Sequence, residues 1–231
     1  MLPGLFQGGV TNKRAVIFDV DGVLVDSYHA HYEAWKRVGR RAGRPIGEET
    51  FASLFGRRNR EIIRLLWGDV LNETQAEELA QWKEVQYREV LRSDFRPMDG
   101  AAELVDALKA AGFLLAVGSS GPPENVRISL EGLGRTRLFD ATVTGDEVRA
   151  GKPDPEVFLK ASAKLGLEPR SSAVVEDSTA GIEAAVRAGM TPIALVGTAP
   201  REVLEQAGAA LVVDSLRKLS PDTIAGLINN E

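Results

Sequence analysis

The sequence of 231 residues contains no cysteine and only two histidines, His29 and His31. Without cysteine there is neither a disulfide framework nor a thiolate site, and two histidines leave little scope for a zinc site or a Ser-His-Asp triad. No apolar run approaches the roughly 20 residues that span a bilayer. The first twelve residues lack a basic start and a long apolar stretch, so we expect no signal peptide and a cytoplasmic protein without a membrane partner.

An excess of basic residues is also missing. The chain has 28 Lys and Arg against 33 Asp and Glu, a net charge of −5, so we expect no nucleic-acid partner. Hydrophobic residues make up 44% of the chain, which suits one large or two small domains with a real core. We expect a monomer or a weak dimer.

From about residue 98 onward, apolar segments alternate with amphipathic ones. The segments FLLAVGSS (113–120), SAVVED (172–177) and TPIALVG (191–197) are typical of buried strands, whereas GAAELVDALKAAG (100–112) places apolar residues on one face of a helix. Continuous apolar strands that alternate with helices argue for a parallel sheet covered on both faces. We therefore predict an α/β fold, a doubly wound parallel sheet of the Rossmann-like type.

The stretch between the first strand and this alternating part has helical patterns and no strong strand pattern. AHYEAWKRVGRRAG (30–43) is amphipathic, and TQAEELAQWKEVQYREVLR (74–92) opens with Thr74 and Glu77 at the spacing of a capping box. The block predicts an inserted helical domain.

The predicted division of the chain follows from that insertion. We expect a Rossmann-like core formed by residues 1–27 and 96–231 and a helical cap domain formed by residues 28–95.

Two carboxylates close together end the first apolar strand, in AVIFDVDGVLVDS (15–27). Asp19 and Asp21 are two positions apart and so share one face of an extended chain. Like charges repel, and burying either one without a partner is costly. A positive group is therefore expected beside them.

The other predicted strands supply polar groups to the same edge, because ligands bind at the carboxyl ends of the strands in doubly wound sheets. The set consists of Asp19, Asp21, Ser119, Ser120, Lys152, Glu176 and Asp177. Such a set suits phosphoryl chemistry with a hard cation, since Mg²⁺ takes carboxylate, phosphate and water oxygens. A carboxylate can attack phosphorus, a second can transfer the proton, and Lys152 and Ser119 can stabilise the phosphoryl oxygens.

Four segments in this order resemble the motifs of the haloacid dehalogenase superfamily. DVDGVLVDS resembles the first motif, AVGSS the second, GKPDPEVF the third and VVEDSTAGIEAAVRAGM the fourth. The helical insertion after the first motif resembles the cap of the subgroup that contains phosphoglycolate phosphatase and beta-phosphoglucomutase.

This resemblance implies a role for each matching residue. Asp19 matches the nucleophile and Asp21 the general acid and base. Ser119 and Lys152 match the pair that binds the phosphoryl group, with Ser120 beside them. A Mg²⁺ site is implied at Asp19, the backbone carbonyl of Asp21, and Asp177, with Glu176 nearby. The acid two residues after the nucleophile favours a phosphotransferase over a dehalogenase.

The predicted cap leaves two activities open. DSYHAHYEAWK and LFGRRNREII resemble mutase segments, which makes His31 and Arg60 candidate substrate-binding residues, and Lys83 is a weaker third. The alternatives are a core histidine on an apolar stripe and an arginine at a solvated helix start. Against a mutase, Gly121, Pro122 and Pro123 stand where the mutase carries the serine, lysine and asparagine of its distal-phosphate loop. Proline has no N–H and no charge.

We therefore expect a Mg²⁺-dependent phosphohydrolase that acts on a small phosphorylated metabolite through an aspartyl-phosphate. A beta-phosphoglucomutase-type mutase is the alternative. A phospho-accepting receiver domain also combines acids, a hydroxyl and a lysine, but it lacks a helical insertion and bears its acceptor on a later strand. A non-catalytic binding module would not need the complete set of acids with Lys152.

Overall fold

A computed structural model describes residues 13–55 and 57–228, without the side chain of Asp69. The expectation that the chain has no signal peptide concerns residues 1–12, which lie outside the described residues.

Six parallel strands form one sheet in the order β3-β2-β1-β4-β5-β6. Their bounds are Ala15–Phe18 (β1), Leu114–Gly118 (β2), Ala141–Val143 (β3), Ser172–Glu176 (β4), Thr191–Leu195 (β5) and Leu211–Val213 (β6). Every residue of β1, β4 and β5 is buried, as expected for parallel strands covered on both faces. The predicted doubly wound α/β fold is confirmed.

Ten α-helices accompany the sheet in the described residues. They are Tyr28–Arg41 (α1), Glu48–Leu54 (α2), Asn59–Trp67 (α3), Glu73–Ser93 (α4), Ala101–Ala110 (α5), Pro123–Leu133 (α6), Glu156–Leu165 (α7), Thr179–Arg187 (α8), Arg201–Gln206 (α9) and Pro221–Ile228 (α10). We call α1–α4 the cap helices. None of the helices in the described residues has both the length and the apolar character needed to cross a bilayer.

The predicted start of α4 is wrong. The capping box is formed by Asn72 and Gln75, two residues before the predicted Thr74 and Glu77, with reciprocal side-chain to backbone bonds of 2.9 and 3.0 Å. Asparagine caps a helix N-terminus at least as well as threonine. The side chain of Gln75 then accepts a hydrogen bond from the backbone N–H of Asn72, which completes the capping box.

The apolar residues divide into clusters that correspond to the layers of the fold. Val16 and Phe18 face one side of β1 with Leu104 and Ile224, whereas Ile17 faces the other with Phe158. The cap helices have a cluster of their own, built on Trp35, Val38, Phe51, Ile62, Ile63 and Leu66. The last turns of α4 join the first cluster through Tyr87, Val90 and Leu91, so α4 packs against the sheet side of the molecule as well.

Candidate active site

A cavity of about 660 Å³ lies between the carboxyl edge of the sheet and the cap helices. Because β2, β1 and β4 are neighbours in the sheet, the residues that follow them come together. Asp19, Ser119 and Asp177 therefore line one cavity, although they are far apart in the sequence.

Lys152 connects the two acidic strand ends. Its Nζ donates to Asp19 Oδ1 at 2.7 Å and to Glu176 Oε1 at 2.6 Å. All three side chains are nearly buried, so these are charge-assisted bonds in a poorly solvated site. Burial lowers the proton affinity of Lys152, but Asp19 and Glu176 outweigh this and raise its pKa, so the lysine is a fixed cation.

Glu176 is fixed by the backbone that follows it. Its Oε2 accepts from the amides of Asp177 and Ser178 at 2.8 and 2.7 Å and from the Ser178 hydroxyl at 2.8 Å. Asp177 accepts a hydrogen bond from the Thr198 hydroxyl. The carboxylates thus have fixed orientations before any ligand binds.

Gly22 permits the close approach of the first and fourth motifs. Its φ is +76°, and a Cβ there would lie 2.1 Å from Asp177 Oδ2. Any other residue would be strained and would push Asp177 away, so the glycine is required for both reasons.

The donor set fits a hard cation. Asp19, Glu176 and Asp177 each offer an oxygen within 4.8 Å of the others, and all three are buried. Burial, with repulsion from Glu176 and Asp19, raises the pKa of Asp177 well above its usual range. Burial raises the pKa of Asp19 to about 7, with Lys152 opposing and Glu176 and Asp21 reinforcing the rise. Lys152 does not compensate three carboxylates, and an oxygen-ligated divalent cation would.

Asp21 lies beside this cluster but its side chain belongs to a different set of contacts. The Tyr87 hydroxyl donates to Asp21 Oδ1 at 2.9 Å, and His31 Nε2 lies 3.4 Å from the same oxygen. Burial opposes ionisation of Asp21, but the contacts with His31 and Tyr87 outweigh it and hold its pKa below the usual range. Of the four predicted metal ligands, Asp21 is the one whose carboxylate is outside the cluster of possible ligands.

His31 continues this contact into the cap. Its ring stacks on Tyr87 with 4.2 Å between ring centres, and its Nδ1 lies 2.9 Å from Lys83 Nζ. Burial and the nearby Lys83 charge lower the pKa of His31. Lys83 is only 2% exposed and donates to Glu84 Oε1 at 2.9 Å. His31 thus shares a helix face with the buried Ala34, Trp35 and Val38 and also reaches Asp21, the candidate general acid and base.

The second-motif loop supplies the opposite wall. Ser119 is buried, and its Oγ accepts from the Gly121 amide at 3.0 Å. Ser120, Gly121 and Pro122 also line the cavity. Pro122 is the N-cap residue of α6. The loop of residues 119–122 therefore has the sequence SSGP, which contains no cationic side chain.

Arg60 also lines the cavity, but its guanidinium is engaged at the surface. It pairs with Glu77 at 2.7 Å, and its side chain is 80% exposed. The guanidinium of the neighbouring Arg58 lies against Gly151, the residue before Lys152. A Cβ built on Gly151 would be 2.4 Å from Arg58 Nη2. Arg58 is therefore better placed than Arg60 to contact a ligand near Lys152.

Several contact residues at the cavity were not predicted from the sequence. They are Tyr87, Glu84, Asn59, Asn125 and Thr198. Helical spacing was a usable signal for Tyr87, which follows Lys83 by four positions and so shares its face. The other four give no local signal, because these contacts join residues on distant elements.

Comparisons with known proteins agree with this geometry. The sequence profile of haloacid dehalogenase-like hydrolases matches residues 13–189. Validoxylamine A 7'-phosphate phosphatase of Streptomyces hygroscopicus subsp. limoneus is 35% identical over 202 residues, covering 86% of this chain and 92% of that protein. Beta-phosphoglucomutase of Bacillus subtilis is 34% identical over 185 residues, covering 77% and 80%.

Solved structures give the same result. A HAD hydrolase of family IA, variant 3, from Entamoeba histolytica has a TM-score of 0.85 and 31% identity and covers 94% of this chain and 100% of its own. With the family profile spanning most of the chain and relatives above 30% identity, the protein belongs to the haloacid dehalogenase-like hydrolases, enzymes whose motifs it carries at the cavity edge.

Proposed function

We propose that this enzyme is a Mg²⁺-dependent phosphohydrolase that acts on a small phosphorylated metabolite, such as a sugar phosphate, through an aspartyl-phosphate on Asp19. The observation that carries the proposal is that Asp19 and Asp21, only two positions apart, have different hydrogen-bond partners. Asp19 is held by Lys152 in a buried cluster, whereas Asp21 accepts from Tyr87 at its side. Pairs of carboxylates with different environments suit a nucleophile and a proton carrier.

In the first step an Asp19 oxygen attacks phosphorus and the bond from phosphorus to the ester oxygen breaks. Asp21 gives its proton to the leaving alkoxide. The incoming phosphate dianion favours the protonated form of Asp21, because a nearby negative charge raises a carboxyl pKa. Ser119 and Lys152 hold the phosphoryl oxygens.

In the second step water attacks the phosphorus of the aspartyl-phosphate. Asp21, now ionised and accepting from Tyr87, takes the proton from that water. The bond from phosphorus to Asp19 breaks, inorganic phosphate leaves, and both carboxyl groups return to their starting states.

Asp19, Asp177 and the Asp21 carbonyl, with Glu176 nearby, would hold Mg²⁺. When bound, the cation would stabilise the negative charge of the phosphoryl group and offset the mutual repulsion of the carboxylates. The geometry supports this assignment, because three buried carboxylates lie close together with Lys152 as the salt-bridge partner of two of them, and burial followed by repulsion from Glu176 and Asp19 raises the pKa of Asp177.

The proposal divides the chain by role. Residues 1–27 and 96–231 form the catalytic core, and residues 28–95 form a cap that selects the ester and excludes water. The cap brings Tyr87 and His31 to Asp21, with Lys83 behind His31, so the proton carrier would be complete only when the cap lies on the core. The cytoplasmic location and the monomeric or weakly dimeric state stay predictions.

A mutase is the second candidate, favoured by the contact of Lys83 with His31 and by the similarity to a beta-phosphoglucomutase. We rank it second because Gly121, Pro122 and Pro123 provide no cation for a distal phosphate. One lost charge-assisted hydrogen bond, worth roughly 1.5–3 kcal/mol, weakens binding by about tenfold to a hundredfold. A bisphosphate intermediate held so weakly would escape before it could reorient.

The test is a screen of phosphorylated metabolites for phosphate release with and without Mg²⁺, with Asp19→Asn as the blank. Turnover of any small ester also separates the enzyme from a receiver domain. In a second reaction, beta-glucose 1-phosphate and a bisphosphate primer are supplied, and phosphate and glucose 6-phosphate are both followed. We expect phosphate release to dominate; faster isomerisation would make the protein a mutase.

A further inference from the structure

A carboxylate forms part of the cavity wall on the cap side. Glu84, on α4, lines the cavity and retains 16% exposure of its side chain. It is not one of the residues that carry out the proposed chemistry, yet three donors hold it in place. Lys83 and Asn59 donate to its Oε1 at 2.9 and 2.6 Å, and Asn125 donates to its Oε2 at 2.6 Å.

The carboxylate is ionised in this setting. Burial would raise the pKa of Glu84, but the Lys83 charge and the hydrogen bonds from Asn59 and Asn125 outweigh it and hold the pKa below its ordinary value. Lys83 itself is 2% exposed, and its ammonium is also engaged by His31. Both residues line the cavity, but the Glu84 side chain is 16% exposed and that of Lys83 only 2%, so the anion is the more accessible member of the pair.

Among the contacts that the described residues make, one acceptor position on Glu84 has no donor. A carboxylate has about four lone-pair positions, two on each oxygen. Oε1 uses both with Lys83 and Asn59, whereas Oε2 has Asn125 as its donor. The remaining position on Oε2 suits an O–H donor and repels an anion.

The position of Glu84 places it where the leaving group of a substrate would lie. Asn125, which donates to Oε2 of Glu84, lies beside the loop that follows β2. A Cβ built on Gly121 in this loop would be 4.0 Å from Asn125 Cβ and 4.0 Å from Asp21 Oδ2. The leaving group of an ester held at Asp19 must extend from Asp21 into this part of the cavity. It would meet the Glu84 carboxylate opposite a loop that has no cation.

We infer that Glu84 is a specificity-determining residue, which favours phosphate monoesters whose leaving group carries uncharged hydroxyls and disfavours esters with a second phosphate. The inference rests on the proposed phosphohydrolase function and deepens it. It also opposes the simplest interpretation of the arginines that line the cavity, which is that they attract a second phosphate; they are Arg57, Arg58, Arg60 and Arg149.

The test compares fructose 1-phosphate, fructose 1,6-bisphosphate and p-nitrophenyl phosphate, which has neither hydroxyls nor a second phosphate. For each, kcat/KM for phosphate release is measured with the full-length wild type and with Glu84→Gln. The control is Glu78→Gln, on the exposed side of the same helix. We expect the wild type to prefer the monophosphate, and Glu84→Gln to reduce the ratio of monophosphate to bisphosphate at least tenfold while Glu78→Gln leaves it unchanged.

A second variant distinguishes charge from structural damage. Asn125→Ala removes a donor and leaves the Glu84 charge less compensated, so the ratio should rise at least twofold, opposite to Glu84→Gln. This variant carries the test alone if Glu84→Gln does not fold. A wild type that prefers the bisphosphate, or an unchanged ratio in Glu84→Gln with p-nitrophenyl phosphate still turned over, overturns the inference and assigns the second phosphate to the arginines. No phosphate release from any ester by the wild type would instead contradict the proposed function.

Discussion

The two walls of the cavity are built in different ways. On the sheet side, Asp19, Ser119 and Asp177 directly follow buried strands and Glu176 is the last residue of one, so the backbone of the sheet sets their positions. On the cap side, His31 and Glu84 come from different helices and are placed by side-chain contacts with Lys83. The sheet side holds three close carboxylates that share one lysine and so favour a bound cation, whereas on the cap side Glu84 has Lys83 as its own ion-pair partner.

This difference indicates a division of labour. A rigid edge with uncompensated carboxylates is suited to binding a metal and a phosphoryl group, which are common to all substrates. A wall of paired side chains on helices can change with little cost to the fold, and it contacts the part of the substrate that varies. We therefore expect substitutions on the sheet side to abolish turnover of every ester, and those on the cap side to change rates in a substrate-dependent way.

The largest effect is expected at Asp19. Asp19→Asn should lower kcat by at least about a thousandfold, because the amide is a poor nucleophile. The fold should persist, since one of several repelling carboxylates is neutralised. Phosphate release and thermal melting check this, with the exposed Asp222→Asn as control. Near-normal turnover would remove the covalent mechanism.

The second-largest effect is expected from removal of the metal. Chelation should reduce activity more than about a hundredfold, and Mg²⁺ should restore it. Ca²⁺ should inhibit, since its looser and higher coordination misplaces the nucleophile. Asp177→Asn should raise the Mg²⁺ concentration needed for half activity and raise the melting temperature without metal, because it removes one of three close like charges. An unaltered Mg²⁺ requirement would argue against Asp177 as a ligand.

A cap substitution should have an intermediate effect. Lys83→Met leaves Glu84 without its cation and His31 without its neighbour, so kcat/KM for sugar phosphates should fall about tenfold to a hundredfold. The Mg²⁺ requirement should not change. Lys36→Met, on the outer part of α1 and paired with Glu33, serves as control. An equal shift in Mg²⁺ requirement would show that the two walls are not independent.

The smallest effect is expected at Arg60. Its pair with Glu77 is exposed, and such pairs contribute about 0–1 kcal/mol. Arg60→Ala should change kcat/KM less than about threefold, whereas Arg58→Ala, whose guanidinium lies against Gly151, should change it more. A large loss at Arg60 with little at Arg58 would restore Arg60 as the substrate-binding arginine.

The same contrast explains what the sequence could predict. The order of apolar strands and the polar residues after them were enough to bring Asp19, Ser119, Lys152, Glu176 and Asp177 to one edge, because parallel topology fixes that edge. The short helices α2, α9 and α10 were not predicted, since six to eight residues carry little periodicity. Nor were the partners of Glu84, because the packing of α3, α4 and α6 decides which side chains meet. The start of α4 was misplaced by two residues, since Asn72 with Gln75 and Thr74 with Glu77 have the same spacing.

The central claim is a covalent intermediate on Asp19. The most direct test is borohydride trapping during turnover of a substrate found in the screen. Borohydride reduces an acyl phosphate to an alcohol, so peptide mass spectrometry should find Asp19 converted to homoserine, together with loss of activity. The conversion should need both substrate and Mg²⁺ and should leave Asp21 intact. Phosphate release that continues in the presence of borohydride, with Asp19 unmodified, would contradict the account.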